Sequence, residues 1–238
     1  WANATWRGFD YGCNNERNIL IEQKYPGDKD YIDHFYSLLS AFKDERYYKI
    51  DGKPLFMIFQ PAEIPNSKHF IDLWQKLAVL NGLNGIFFIA QTDSERKLDF
   101  FIDSGYDAVN LTRLFDSYNL GIPKFIRRII DYFQLPKTIS YKRATNYLIK
   151  KIDSDENCFP TVYPNWDHSA RSGKKGLILH NSKPDLFKKY LQKMIQIVAG
   201  KSENRRIIFV KSWNEWAEGN YLEPDRKYGL GYLEAIKE

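Results

Sequence analysis

Two apolar runs of strand length most limit what this chain can become: Pro54-Leu-Phe-Met-Ile-Phe-Gln60 and Gly85-Ile-Phe-Phe-Ile-Ala-Gln91. Runs that are apolar at successive positions, without alternation, are what strands covered on both faces require, as in a parallel sheet. Between them, Asn66 to Leu80 places Phe70, Leu73, Trp74, Leu77 and Ala78 at helical spacing, behind an Asn66-Ser67 cap. A strand, an amphipathic crossover helix and a second strand form the basic parallel unit.

The unit recurs. Asp30 to Phe42 predicts a helix with Ile32, Phe35, Leu38, Leu39 and Phe42 on one face, capped by Asp28 or Asp30. Further strands are predicted at Tyr106–Leu111, Cys158–Asn165 and Ile207–Val210, and Asn18–Gln23 reads as a short extended segment. Helices are predicted at Glu95–Ser104, 122–133, 140–151, Pro184–Ala199 and Gly229–Lys237. The alternation runs about five times, and polar residues sit just beyond the apolar runs: Asn3, Gln60, Gln91, Asn110, Asn165 and Glu215. Functional groups at the C-terminal ends of many strands fit a (β/α)8 TIM barrel better than a doubly wound sheet, which draws on strands beside one switch point. The expected architecture is therefore one α/β barrel domain over 1–238. Its first two or three strands are missing from the chain, and Trp1-Ala-Asn3 is the tail of a strand. A first residue that is Trp rather than Met fits a chain beginning inside a longer protein.

The segment Lys211-Ser-Trp-Asn-Glu-Trp-Ala-Glu-Gly-Asn-Tyr-Leu-Glu223 carries the chemistry. Glu215 and Glu218 are the candidate catalytic pair, since glycosidic bond cleavage uses one carboxyl to protonate the leaving oxygen and another to activate a nucleophile. Residues three apart in a strand face opposite ways. Both carboxylates can serve one ligand only if the strand stops near Asn214 and turns helically, and Gly219 permits that irregularity. Trp6, Trp166, Trp213 and Trp216 are candidate stacking surfaces for sugar. Asn3, Gln60, Gln91, Asn110, Tyr163, Asn165, Asp167, Asn214, Tyr221 and Glu223 complete the expected substrate-binding set, with Glu223 in a supporting position. His168 and Arg171 join Tyr163 and Asp167 in a second polar cluster, where His168 reads as a bystander.

The two Asp-x-Asp pairs, Asp28/Asp30 and Asp153/Asp155, are better explained by capping and chance than by metal–nucleotide binding. No phosphate-binding or dinucleotide glycine motif and no His-Glu-x-x-His is present. No metal site and no cofactor are expected. A net charge of +5 does not by itself indicate nucleic acid, which is not an expected partner. Eight of the nine charged side chains in 122–151 are basic, and they alternate with Phe125, Ile129, Ile130, Tyr132 and Phe133. The stretch suits either a solvated helix face or peripheral contact with an anionic membrane surface. No run approaches the roughly 20 apolar residues of a membrane span. Cys13 and Cys158 lack disulfide or zinc spacing, which points to a reducing compartment. A cytoplasmic location is expected, with the inner face of the membrane as the place where 122–151 would act.

Trp1-Ala-Asn-x-x-Trp6, Ile19-Leu-Ile-Glu-Gln-Lys-Tyr25, Tyr48-Lys-Ile-Asp-Gly-Lys-Pro-Leu55 and Trp213-Asn-Glu-Trp-Ala-Glu-Gly-Asn-Tyr-Leu-Glu-Pro-Asp225 together resemble WbsX-type proteins. These are glycoside hydrolase family 99-like domains associated with bacterial lipopolysaccharide and O-antigen biosynthesis. The resemblance spans nearly the whole chain and is weakest over 112–157. It implies a (β/α)8 barrel acting on an oligosaccharide or polysaccharide. Family 99 enzymes are retaining endo-α-mannosidases with a Glu-Trp-x-Glu-Gly segment. Carried over by motif, Glu215 takes the role of base toward the sugar 2-hydroxyl and Glu218 that of acid/base. Two other readings remain: a glycosyltransferase of O-antigen or capsule assembly, and a non-catalytic glycan-binding module.

Overall fold

A computed structural model describes residues 1–7 and 19–237, the side chain of Lys175 excepted. The loop expected through Gly8, Gly12 and Asn14-Asn15, and Cys13, lie outside the described residues. The chain is an α/β fold that packs as two compact units.

The first unit holds residues 1–7, 19–111 and 156–158 among those described. It opens with a short antiparallel pair, β1 (Trp6–Arg7) and β2 (Ile19–Ile21). Helix α1 (Asp28–Lys43) follows. Strands β3 (Lys49–Ile50) and β4 (Lys53–Ile58) form an antiparallel hairpin. Helix α2 (Ser67–Leu80) then leads to β5 (Phe87–Thr92), and helix α3 (Leu98–Asp103) to β6 (Ala108–Leu111). Strands β4, β5 and β6 are parallel neighbours, with Phe56 opposite Phe88 and Gln91 opposite Asn110. The crossovers are the helices predicted from the periodic apolar residues.

Local chemistry sets these boundaries. Asn66 takes a left-handed conformation (φ 50°) and its side chain accepts from His69 N at 3.2 Å, capping α2 as expected. No side chain caps α1. Asp28 lies inside the first turn, where it suits the helix dipole and pairs with His69 Nε2 at 2.7 Å. Trp74 is fully buried among Phe35, Phe56, Phe70 and Phe88, and its indole donates to Tyr31 O at 3.0 Å. Two expectations are corrected. Strand β5 is buried on both faces, but β4 is not: Pro54, Phe56 and Ile58 are buried while Leu55 and Met57 are half-covered. Trp1 to Asn3 forms no assigned strand. Even so, the Trp1 nitrogen donates to Met57 O at 2.7 Å and Phe59 N donates to Trp1 O at 3.0 Å, the spacing of a parallel ladder.

The second unit holds residues 112–155 and 159–237. Helix α4 (Leu114–Gly121) and helix α5 (Lys124–Tyr132) precede β7 (Lys137–Ser140) and α6 (Tyr141–Leu148). Strand β8 (Cys158–Val162) follows; its last four residues belong to this unit. The short helix α7 (Ser169–Ser172), β9 (Leu177–His180) and the long helix α8 (Pro184–Val198) come next. Strand β10 (Phe209–Val210) runs parallel to β8. The chain ends in the antiparallel pair β11 (Asn214–Glu215) and β12 (Asn220–Tyr221), then α9 (Gly231–Lys237). Its core gathers Tyr141, Tyr163, Trp166, Phe187, Tyr190 and Met194.

Here the sequence-based expectation fell short. It placed two helices, 122–133 and 140–151, in the irregular stretch 112–157, whereas α4 and β7 are also present, and β7 pairs in parallel with the unforeseen β9. Both strands are four residues long, too short for a period to show against neighbouring helices. Strand β10 is half-buried rather than buried, because among the described residues it pairs with β8 alone.

Candidate functional site

Backbone departures bring the second unit's polar residues together. The chain leaves β10 at Val210, earlier than the break expected near Asn214, although Lys211 N still reaches Val162 O at 3.0 Å. After β11 it makes one 3-10 turn over Trp216–Glu218, ended by Gly219 in the left-handed region (φ 52°). A Cβ at Gly219 would lie 2.8 Å from Asp167 Cβ and 2.9 Å from Asp167 N. Only glycine meets both demands, and the close approach lets Asp167 N donate to Glu218 O at 2.9 Å. The turn is the helical break the sequence required.

Its consequence is that both glutamates reach one cation. Arg171 Nη1 is 3.1 Å from Glu218 Oε1 and 4.0 Å from Glu215 Oε1. Glu218 also has His168 Nε2 at 3.4 Å and Lys211 Nζ at 3.7 Å. Its side chain is 15% exposed, that of Glu215 41%. One carboxylate is thus clasped inside a ring of basic groups, while the other stands at the open side of the same guanidinium. Lys211 lies 5.1 Å from the Trp166 ring centre, which holds the ammonium against a buried indole.

Asn165 and Asn220 build this frame. Asn165 Oδ1 accepts from Tyr221 N at 2.8 Å and its amide donates to Tyr221 O at 3.2 Å. Asn220 donates to Asn165 O and to Lys211 O, each at 2.8 Å. Asn165 was expected to bind substrate; both ends of its side chain are instead committed to backbone. Tyr163 is buried and accepts Tyr141 Oη on its carbonyl, with its phenol pushed up by burial. Asp167 is exposed and accepts from Ser169 N at 3.0 Å, fixing the loop that carries His168 and Arg171.

The tryptophans divide. Trp166, a candidate stacking ring, is only 5% exposed and belongs to the core. Trp213 is 55% exposed, and Asn214 beside it is exposed. Trp216 stacks on Tyr221 at 3.8 Å with the rings 14° apart, so one face is occupied. Glu223 Oε2 accepts the Trp216 indole proton at 2.7 Å. Tyr221 donates to Asp225 Oδ2 at 3.0 Å; burial and that carboxylate push its phenol up to about 12.

The remaining candidates lie in the first unit. Asn3 is buried, with its amide donating to Gln60 O at 2.8 Å and to Tyr25 Oη at 2.9 Å, and its carbonyl accepting Gln60 N at 2.7 Å. That bonding fixes the turn after β4 and leaves little for a ligand. Gln60 and Gln91 are half-buried, Asn110 is buried, and Trp6 is 55% exposed.

Three basic residues were absent from the expected site: Lys211, Arg171 and His168. The sequence placed the last two in the neighbouring cluster. Lys211 had a signal, being the first residue beyond an apolar strand. Among the described residues no group of His, Cys, Asp and Glu is arranged to hold a metal ion. Asp153 of the second Asp-x-Asp pair is buried against Arg113 at 2.5 Å. Cys158 is buried.

A solved "Glycoside hydrolase-like protein" is similar at 16% identity and a TM-score of 0.60, over 87% of this chain and 59% of that one. The GH99 endo-alpha-mannosidase from Bacteroides thetaiotaomicron is similar in two structures. With Bis-Tris propane bound it gives 19% identity and a TM-score of 0.52, over 90% of this chain and 64% of that one. The other gives 18% and 0.52, over 90% and 61%. At these identities the likeness is one of fold. The chain belongs to the family described as Glycosyltransferase WbsX, which matches residues 1–236. It is also 26% identical to the uncharacterized protein WxcX of Xanthomonas campestris pv. campestris, in strains ATCC 33913 and B100. Both alignments cover all of this chain and 34% of the relative, so the chain spans about a third of those proteins' length.

Proposed function

We propose that this domain cleaves or transfers glycosidic bonds of a bacterial surface polysaccharide with retention of configuration, using Glu218 as acid/base and Glu215 as base toward the sugar 2-hydroxyl. The observation that carries the reading is the convergence of both carboxylates on Arg171. Glycoside chemistry needs two carboxyl groups directed at one bond. Glu215, the more exposed, would meet the sugar hydroxyl. Glu218, held by Arg171, Lys211 and His168, would deliver and recover the proton at the glycosidic oxygen. Trp213, exposed two residues ahead of Glu215 in the chain, would offer an aromatic surface to the sugar.

The fold proposed with this chemistry is a (β/α)8 barrel that includes strands ahead of Trp1. Supporting it are the parallel bonding of Trp1 to β4, the half-covered β10, and the likeness to longer glycoside hydrolase chains. A cytoplasmic location belongs to the same proposal. Proton NMR of the first sugar released from a bacterial O-antigen oligosaccharide by the full-length protein tests it. A retained anomeric configuration is expected, and an inverted one contradicts the roles given.

The family description favours a second reading, a glycosyltransferase. It requires binding of a nucleotide-sugar or polyprenyl-phosphate-sugar donor, which calorimetry with a donor panel would detect. If hydrolysis occurs without any donor binding, this second reading fails.

A further inference from the structure

We propose that the outward apolar face of α5, rimmed by Lys124 and Arg128, seats the protein on an anionic phospholipid surface. Nine residues, Lys124–Tyr132, form α5, and none is buried. At 100° per residue, Phe125, Ile126, Ile129, Tyr132 and the following Phe133 fall on one side, with Lys124, Arg127, Arg128 and Asp131 on the other. Phe125 is 65% exposed, Ile129 50%, Tyr132 81% and Phe133 62%. Only Ile130 of this helix packs against the unit's core, joined there by Ile122 just ahead of it. A helix serving only to cover a core would turn this side inward. A contiguous exposed apolar side marks a surface meant to be covered.

Charge selects the cover. Eight basic and one acidic side chains give 122–151 a net +7. The whole chain carries +5, so the rest of it carries −2. All the excess positive charge lies in the stretch that exposes the apolar face. Lys124, Arg128, Lys142 and Arg143 are exposed, while Asp131 has Lys137 at 3.8 Å. A second copy of the chain is a poor occupant: a two-fold interface sets each patch against itself and would bring these cations together. Anionic headgroups answer the charge, and the acyl boundary takes the aromatic and isoleucine side chains, as for helices lying in a membrane surface.

The test is co-sedimentation of the full-length protein with vesicles of phosphatidylcholine, alone or mixed with phosphatidylglycerol. Binding to the mixed vesicles is expected, weakening as salt rises. Two variants, Phe125→Ser with Ile129→Ser and Lys124→Glu with Arg128→Glu, should each lower the apparent affinity about tenfold or more, with circular dichroism unchanged. Three outcomes overturn the proposal. They are equal binding to both vesicle types, wild-type binding by both variants, and a dimer that the serine variant converts to monomer while vesicle binding persists.

Discussion

Arg171 links Glu218, 3.1 Å away, to Glu215, 4.0 Å away, through a single guanidinium nitrogen. The sum of those distances is the most that can separate the two contacting oxygens. Two carboxylates three residues apart therefore address one locus, one leaving the backbone just ahead of a 3-10 turn and the other from its last residue. Such pairing would be out of reach in a continuing strand.

Arg171→Met should remove the shared cation and leave both carboxylates in place. The expected result is a fall in kcat of about a hundredfold, comparable to losing one fixed charge-stabilising donor. Steady-state kinetics on an O-antigen oligosaccharide measures it. Because Met preserves much of the stem's bulk, the circular dichroism spectrum should not move.

Gly219→Ala should be costly beyond its size. The left-handed conformation alone disfavours alanine by roughly 1–2 kcal/mol, and its methyl would enter the 2.8 Å gap to Asp167 Cβ. The bond from Asp167 N to Glu218 O would break, releasing the loop that carries Arg171. Hydrogen exchange should show faster exchange at Asp167 and lost activity together.

Arg113 and Asp153 form a buried pair, with side chains 3% and 0% exposed and a 2.5 Å contact. Burial pushes the Asp153 carboxyl up, opposed by the Arg113 charge and the Lys150 amide. Asp153→Ala should destabilise the second unit by about 3–5 kcal/mol, because the buried Arg113 charge loses its carboxylate. Replacing both by apolar residues, Arg113→Met with Asp153→Leu, should recover most of that loss in denaturant titrations followed by pulse proteolysis.

His34 gives the first unit a pH dependence. It lies half-buried against Trp1, Phe56 and Trp74, and burial pulls its pKa down. The unfolded chain, with histidine near its ordinary value of about 6.5, then binds more protons than the folded one. Stability should be fully present above that value and decline as pH falls below it. Hydrogen-exchange protection of α1 and α2 in the full-length protein should weaken between pH 7 and 5, and His34→Gln should flatten the decline.

Much of the first unit was legible because its strands and helices are long enough to show a period. Trp74 and Phe70 recur four apart, and Phe87 to Ala90 is apolar without a break. The shared direction of Glu215 and Glu218 was legible only as a condition, that the strand must break. The sequence could name Gly219 as permitting the break, but the approach of Asp167, 52 positions earlier, is a tertiary fact. Local pattern also says nothing of where a polar side chain spends its bonds. Asn3 and Asn165 looked like ligand-binding residues at strand ends, yet both hold backbone. Arg171 reaches Glu218 from the short helix α7 and Lys211 from just beyond β10, and no spacing in the chain announces that meeting.

The central claim is that Glu215 and Glu218 act on one glycosidic bond. Its most direct test compares kcat/KM of the full-length protein with Glu215→Gln, Glu218→Gln and both together. The account predicts a loss of about a thousandfold for each single change, with the double scarcely worse than the weaker single, as for groups that act as a unit. Wild-type kcat/KM in either single variant, or losses that multiply in the double, would contradict it.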